Sequence, residues 1–279
     1  MGLSSGRADI KIGLIDGPVV INHVDLATEN IREIPGSPPG SCTRISSPAC
    51  VHGTFVAGIL SARRNSKAPA ICPGCTLLVR PIFPEAPSEN GQMPGTTPEV
   101  LAGAIIDTIK AGARIVNLSL ALEAPSSKGR YVLQQALDFA GSRGAILVTA
   151  AGNQGAIGGS TLTQHPCVIP VVAYDLQGRL LNLSNLGSSI GRHGIGAPGE
   201  GVTSLGAEGN PLMIAGTSAA TPFVSGAIAL LWSAFPLATS CQLKSAITNV
   251  SSQRRSTVVP PLMDAWAAYQ IFQSNKGRS

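Results

Sequence analysis

The segment Gly216-Thr217-Ser218-Ala219-Ala220-Thr221-Pro222 sets a serine between a small-residue turn and an apolar run that reads as a helix over about 221–232. Small neighbours let a carbonyl substrate approach the Ser218 hydroxyl. The helix behind it directs the positive end of its dipole at the same spot. Gly-Thr-Ser ahead of a helix also serves as a plain N-cap, so Ser218 gains meaning only from partners. A serine hydroxyl is a poor nucleophile until a base takes its proton, and an imidazole suits that task near neutral pH. The chain has four histidines. His23 falls in a polar turn and His193 in a Gly-rich stretch, and both read as surface. His165 precedes a proline at a strand edge. His52 differs: it heads His52-Gly53-Thr54-Phe55-Val56-Ala57-Gly58, where small residues on one helix face permit tight packing.

An imidazole base needs an orienting carboxylate. Asp16 closes the first apolar run, where a buried carboxylate is costly unless paired; an aspartate at a strand end also caps turns. Asn153, in Ala150-Ala151-Gly152-Asn153-Gln154-Gly155, offers a side-chain amide. With the Ser218 N–H it could cradle a tetrahedral oxyanion, although asparagine is common in Gly-rich turns for other reasons.

The elements that must position these groups alternate. Apolar runs at 11–16, 76–83, 114–120, 145–149 and 167–174 read as buried strands. Helical spacing covers 52–62, 98–113, 130–141, 221–232, 238–249 and 263–273, with Thr97-Pro98 as a cap followed by proline at the second helix. Pro/Ser/Gly-rich 35–48 and 84–98 read as loops, the second long enough to be functional. Continuous apolar strands alternating with helices predict an α/β fold, a mostly parallel sheet flanked by helices. In such sheets ligands bind beyond the C-terminal strand ends, where Asp16, Leu118-Ser119-Leu120 and Gly152-Asn153 all fall. With 279 residues and no internal linker, residues 1–279 are expected to form one domain.

Hydrophobic residues make up 44% and charged residues 13% of the chain, enough for a large core and against disorder. The net charge of +5 is scattered and aromatics are only 4%, which argues against a nucleic-acid partner. No apolar run reaches membrane-spanning length. Residues 1–9 carry no secretory signal, so a cytoplasmic protein is expected, a secreted one staying open if the chain is trimmed. Of six cysteines, Cys72-Pro73-Gly74-Cys75 has redox or zinc-knuckle spacing. No second pair completes a metal site, which favours a local disulfide or plain thiols; the pairing of the cysteines is left open.

Asp16, His52 and Ser218 follow the chain order of the subtilisin-like serine proteases, the subtilases. The block 52–58 resembles the family pattern His-Gly-Thr-x-Val-Ala-Gly in full, and Gly216-Thr217-Ser218 with Pro222 resembles its serine block. Ala150-Ala151-Gly152-Asn153, Leu183-Ser184-Asn185-Leu186-Gly187 and Gly196-Ala197-Pro198-Gly199 are similar to further family segments. The resemblance implies a three-layer subtilisin-like fold and a serine endopeptidase working through an acyl-enzyme. In it Asp16 orients His52, His52 serves as base and then acid, Ser218 attacks, and Asn153 with the Ser218 N–H holds the oxyanion. It further implies that Leu118, Ser119 and Leu120 pair with substrate backbone. The loop 91–97 would form the opposite wall, and Ala150, Ala151 and Gly152 one side of the specificity pocket. A peptide or protein substrate is implied, with no cofactor for the chemistry; structural calcium is common in the family, but no acidic cluster here names ligands.

Three positions depart from the family: Gly17-Pro18 after Asp16 where Ser or Thr is usual, Ala219 for Met, and Ala121 for Gly. Asp-Gly-Pro is similar to the subtilase domains that process precursor peptides in cyanobactin-type pathways. Two alternatives share the site: a transpeptidase or macrocyclase, and a catalytically silent peptide-binding module. The oligomeric state is not legible in the sequence.

Overall fold

The computed structural model describes residues 4–86, 93–122, 129–248 and 258–276. Seven strands form one parallel sheet: β1 (Lys11–Ile15), β2 (Ile31–Glu33), β3 (Thr76–Val79), β4 (Ile115–Leu118), β5 (Ile146–Ala150), β6 (Val168–Tyr174) and β7 (Ile195–Pro198). Their order is β2-β3-β1-β4-β5-β6-β7, and β8 (Val202–Leu205) pairs antiparallel with β9 (Pro211–Ile214) as a separate hairpin. The helices are α1 (Pro48–Ser61), α2 (Pro98–Lys110), α3 (Arg130–Ser142), α4 (Thr161–Gln164), α5 (Ser188–His193), α6 (Thr217–Ala234), α7 (Ser240–Thr248) and α8 (Ala265–Lys276).

Side chains of a strand alternate between faces, and two cores result. On one face Ile12 and Leu14 of β1 and Ile115 of β4 pack with α1, α6 and α7. On the other, Val116, Leu118 and Leu120 pack with α2 and α3. This is the expected three-layer α/β architecture. Parallel pairing aligns Ile15 of β1 with Leu118 of β4, and Leu118 with Thr149 of β5. Asp16, Ser119 and Ala150 therefore emerge side by side at one sheet edge.

Several boundaries differ from the sequence reading. α1 starts four residues before His52, because Ser47 accepts from Cys50 N as N-cap and Pro48 follows it. His52 thus lies in the second turn, not at the helix head. α6 starts at Thr217 rather than Thr221 and runs through Pro222. The short β2 and β7, the β8–β9 hairpin, α4 and α5 carry too few residues for periodicity to show. His23 is buried, not on the surface, with its Nδ1 accepting from Asp25 N at 3.1 Å; His193 is half-buried.

Cys42 and Cys50 form a disulfide, tying the 35–48 loop to the first turn of α1. Cys72 and Cys75 are buried free thiols. Among the described residues the one cluster with metal-ligand spacing is Cys42, Cys50 and Glu85, and its two sulfurs are already bonded to each other. The Glu85 carboxylate instead accepts from Thr43 N and Arg44 N, at 2.9 and 2.8 Å, and so pins the loop that leads into α1. No described helix is long and apolar enough to cross a membrane.

Candidate active site

Asp16 follows β1 with the parity of Leu14, which turns its side chain toward α1 and α6. It is fully buried. Its Oδ1 accepts from Gly17 N at 2.7 Å and lies 2.7 Å from His52 Nδ1. An ionised carboxylate only accepts, so Nδ1 carries the proton and Nε2 presents its lone pair. Burial pulls the His52 imidazolium down, but the charge and hydrogen bond of Asp16 outweigh it and leave the pKa raised above the ordinary 6.5. Asp16 Oδ2 is buried without a partner among the described residues, so the carboxylate is held through Oδ1 alone, by Gly17 N and His52.

Two glycines permit this approach. A Cβ on Gly53 would lie 2.5 Å from the carbonyl oxygens of Gly17 and Pro18, and one on Gly17 would overlap Ala49 O. The helix backbone rests directly on the Asp16-Gly17-Pro18 turn. The departure from Ser or Thr at position 17 is therefore a packing requirement here.

Ser218 occupies the first turn of α6, half-buried, and α6 packs on α1 beneath the same sheet edge. Its backbone is held from β4. Pro222 has no N–H to give the Ser218 carbonyl four residues earlier. Ser119 Oγ donates to that carbonyl instead, at 2.9 Å. Ser119 Oγ in turn accepts from Asn117 Nδ2 at 2.9 Å, and Asn117 Oδ1 accepts from Ser225 Oγ at 2.8 Å. A buried strand-to-helix chain thus fixes the helix start and its next turns.

Asn153 lies in the exposed loop after β5. Its Oδ1 accepts from Thr217 N and Thr217 Oγ1, both at 2.9 Å. A backbone N–H can only donate, so the amide cannot be flipped, and Nδ2 points the other way. Neither Asn153 Nδ2 nor the Ser218 N–H has an acceptor among the described residues. Gly216, at φ 130°, gives way beside this amide: a Cβ there would meet Asn153 Nδ2 at 2.9 Å. Asn185, in the Ser-Asn-x-Gly segment, shapes the same loop by accepting from Gln154 N and Ala156 N at 3.1 and 2.9 Å.

The residues read as substrate-binding divide. Leu118 and Leu120 send their side chains into the α2/α3 core; Leu118 pairs with β1 and β5, and Leu120 O accepts from Thr149 Oγ1 at 3.2 Å. Ser119 spends its hydroxyl on Ser218. Ala151 lines a cavity of about 140 Å³ with Leu122, Ile157, Gly158, Ser160 and Thr163, and Ala150 and Gly152 do not line it. The 91–97 segment lies partly outside the described residues. Thr217, Asn117 and Ser225 were not singled out as positioning residues. Thr217 stood inside the serine block, but the other two became visible only once β4 met α6.

Residues 7–263 match the model of the subtilase family. The chain is 28% identical over 250 residues to subtilisin DY of Bacillus licheniformis, covering 88% of this chain and 84% of that protein. It spans 52% of a thermostable alkaline protease of Halalkalibacterium halodurans, at 32% identity over 72% of this chain. Among solved structures, the protease domain of PatA matches with a TM-score of 0.89 at 28% identity over 99% of both chains. The prenylagaramide maturation protease PagA matches with a TM-score of 0.82 at 25% identity, over 95% of this chain and 94% of that one. In sequence motifs and in fold, the chain belongs to the subtilase family of subtilisin-like serine endopeptidases.

Proposed function

We propose that residues 1–279 act as one catalytic domain that cleaves a precursor peptide through an acyl-enzyme on Ser218. The carrying observation is the part-buried 2.7 Å contact between Asp16 and His52 on a helix packed against the one that bears Ser218. In the first half-reaction His52 Nε2 takes the Ser218 proton as Oγ attacks the scissile carbonyl. Asn153 Nδ2 and the Ser218 N–H, both without an acceptor among the described residues, receive the developing oxyanion. His52 then protonates the leaving amine, and a water repeats the sequence to release the acid. The backbone of 118–120 pairs with the extended substrate. The cavity beside Ala151 takes the side chain on the acyl side of the cut bond. No charged side chain lines it among the described residues, which supports cleavage after a small or apolar residue.

The precursor-peptide reading rests on the likeness to maturation proteases and on Asp16-Gly17-Pro18. Labelling purified protein with a fluorophosphonate tests the site, with Ser218→Ala and His52→Ala alongside. Labelling of the unmutated protein alone is the expected result. Equal labelling of Ser218→Ala would sink the assignment. A peptide-library screen should then show an uncharged preference, and a preference for Lys or Arg would overturn the pocket reading.

A further inference from the structure

Away from Ser218 the fold holds a cysteine, a histidine and a carboxylate in contact. Cys167, half-buried, immediately precedes β6, His165 closes α4, and Asp138 lies on α3. His165 Nδ1 is 3.0 Å from Cys167 Sγ, and its Nε2 is 3.0 Å from Asp138 Oδ1. The tautomer is set from both sides. An ionised carboxylate only accepts, so Nε2 carries the proton. The Cys167 backbone N–H donates to Nδ1 at 3.3 Å, so that nitrogen presents its lone pair. The basic nitrogen of His165 therefore faces the thiol, which itself donates to Leu137 O at 3.4 Å.

The surroundings contribute charge. Lys244 of α7 reaches the carbonyl of Val168 at 3.3 Å, beside the thiol. Exposed Cys241 lies one turn earlier on α7, and His193 of α5 holds Thr163 O at 3.0 Å. Burial pushes the Cys167 thiol up to about 11, with Lys244 pulling it down and Asp138 pushing it up. Free thiolate is scarce at neutral pH, so chemistry at this sulfur has to run through a base that removes its proton.

We propose that Cys167 is a second covalent site of this chain, a thiol that His165 deprotonates for attack on low-molecular-weight disulfides. The Cys167 sulfur attacks one sulfur of the disulfide, the S–S bond breaks, and a mixed disulfide forms on Cys167. The thiol proton passes to His165 Nδ1, where Asp138 holds the imidazolium, and then to the departing sulfur, which leaves as a thiol. Cys167 is oxidised and the leaving sulfur reduced, with no further reactant. Nucleophile, base and orienting group within hydrogen-bond reach are the arrangement such activation needs. His23 offers the contrast: it makes the same backbone contact, yet its Nε2 is buried without a partner among the described residues.

The test uses 4,4′-dithiodipyridine on the whole protein, with per-site rates from peptide mass mapping between pH 6 and 8. Cys241 is the internal reference. A thiol reacting as free thiolate gains about tenfold in rate per pH unit. Cys167 is expected to gain less per unit than Cys241, because its base supplies the deprotonation. His165→Gln should slow Cys167 at pH 7 by at least about 100-fold and restore the steep slope, leaving Cys241 and fluorophosphonate labelling unchanged. Asp138→Asn, at an exposed carboxylate, should slow it several-fold without touching the core. The unmutated pH slope decides the matter even if His165→Gln does not fold. A Cys167 slope equal to that of Cys241, no adduct at Cys167, or an unchanged rate in Asp138→Asn would reduce the contact to a turn-stabilising one.

Discussion

Replacing Gly53 by alanine perturbs the active site through one added carbon. That Cβ would stand 2.5 Å from two backbone oxygens, Gly17 O and Pro18 O. Backbone has no flexible end to swing aside, so α1 must retreat by about 0.5–0.9 Å to reach ordinary contact. His52 and Asp16 each precede a contacting residue, so the retreat lengthens their 2.7 Å bond toward about 3.2–3.6 Å, where a hydrogen bond weakens or fails. A displacement of about 1 Å at a catalytic group costs about 100-fold in rate. Stability should respond far less. Overpacking costs about 1–3 kcal/mol, and alanine returns up to about 1 kcal/mol of helix propensity. Gly103→Ala on α2 is the control: its Cβ would meet nothing within 4 Å, so it should leave activity intact and raise stability by up to about 1 kcal/mol. The assay is kcat/KM on a peptide substrate beside thermal unfolding. If Gly53→Ala keeps kcat/KM within about threefold of the unmutated protein, the helix-on-turn contact does not set the Asp–His geometry.

Asn153→Leu should cut kcat by about 10²–10³-fold with little change in KM, the effect of removing such a donor in subtilisin; Thr217→Val, which removes one of the two hydrogen bonds holding Asn153 Oδ1 and leaves the backbone one, should cost part of the same loss. The raised His52 pKa places the acid limb of kcat/KM above pH 6.5, since protonated His52 cannot accept the Ser218 proton and activity falls as pH drops through that value. The same shift stabilises the fold below the unfolded pKa and that stabilisation disappears as pH rises through the folded one; Asp16→Asn should lower the His52 value, read from its imidazole resonances, and an unmoved resonance would contradict the pairing. Ser119→Ala leaves the Ser218 carbonyl and Asn117 Nδ2 without partners, so unfolding free energy should drop by about 1–3 kcal/mol and fluorophosphonate labelling should slow, whereas unchanged values in both would show that the β4–α6 chain is dispensable.

The sequence was sufficient for the family and the α/β layering, because both rest on local features: apolar runs long enough to read and short motifs whose residue types are tied to one chemistry. Asp16, His52, Ser218 and Asn153 were each named from such segments. The extent of α1 was not legible, since the cap at Ser47 and the proline at 48 lay inside a Pro/Ser-rich stretch that resembles a loop. Short strands such as β2 and β7 were missed because three or four residues carry no usable period. The cysteine pairing stayed open because sulfurs pair by distance in space, and Cys42 meets Cys50 only once the loop folds back on α1.

What tertiary structure alone decided is which polar group meets which. The sequence shows Pro222 inside a helix and so announces an unpaired carbonyl at Ser218, but not that Ser119, 99 residues earlier, supplies the donor. It shows Gly17 and Gly53, but not that their backbones touch and thereby bring Asp16 to His52. It shows His165 and Cys167 two residues apart, but not that Asp138 stands behind the ring. Local pattern specifies elements because propensity and burial act over a few residues. Contacts between distant elements depend on strand order and face, which arise only when all seven strands are placed.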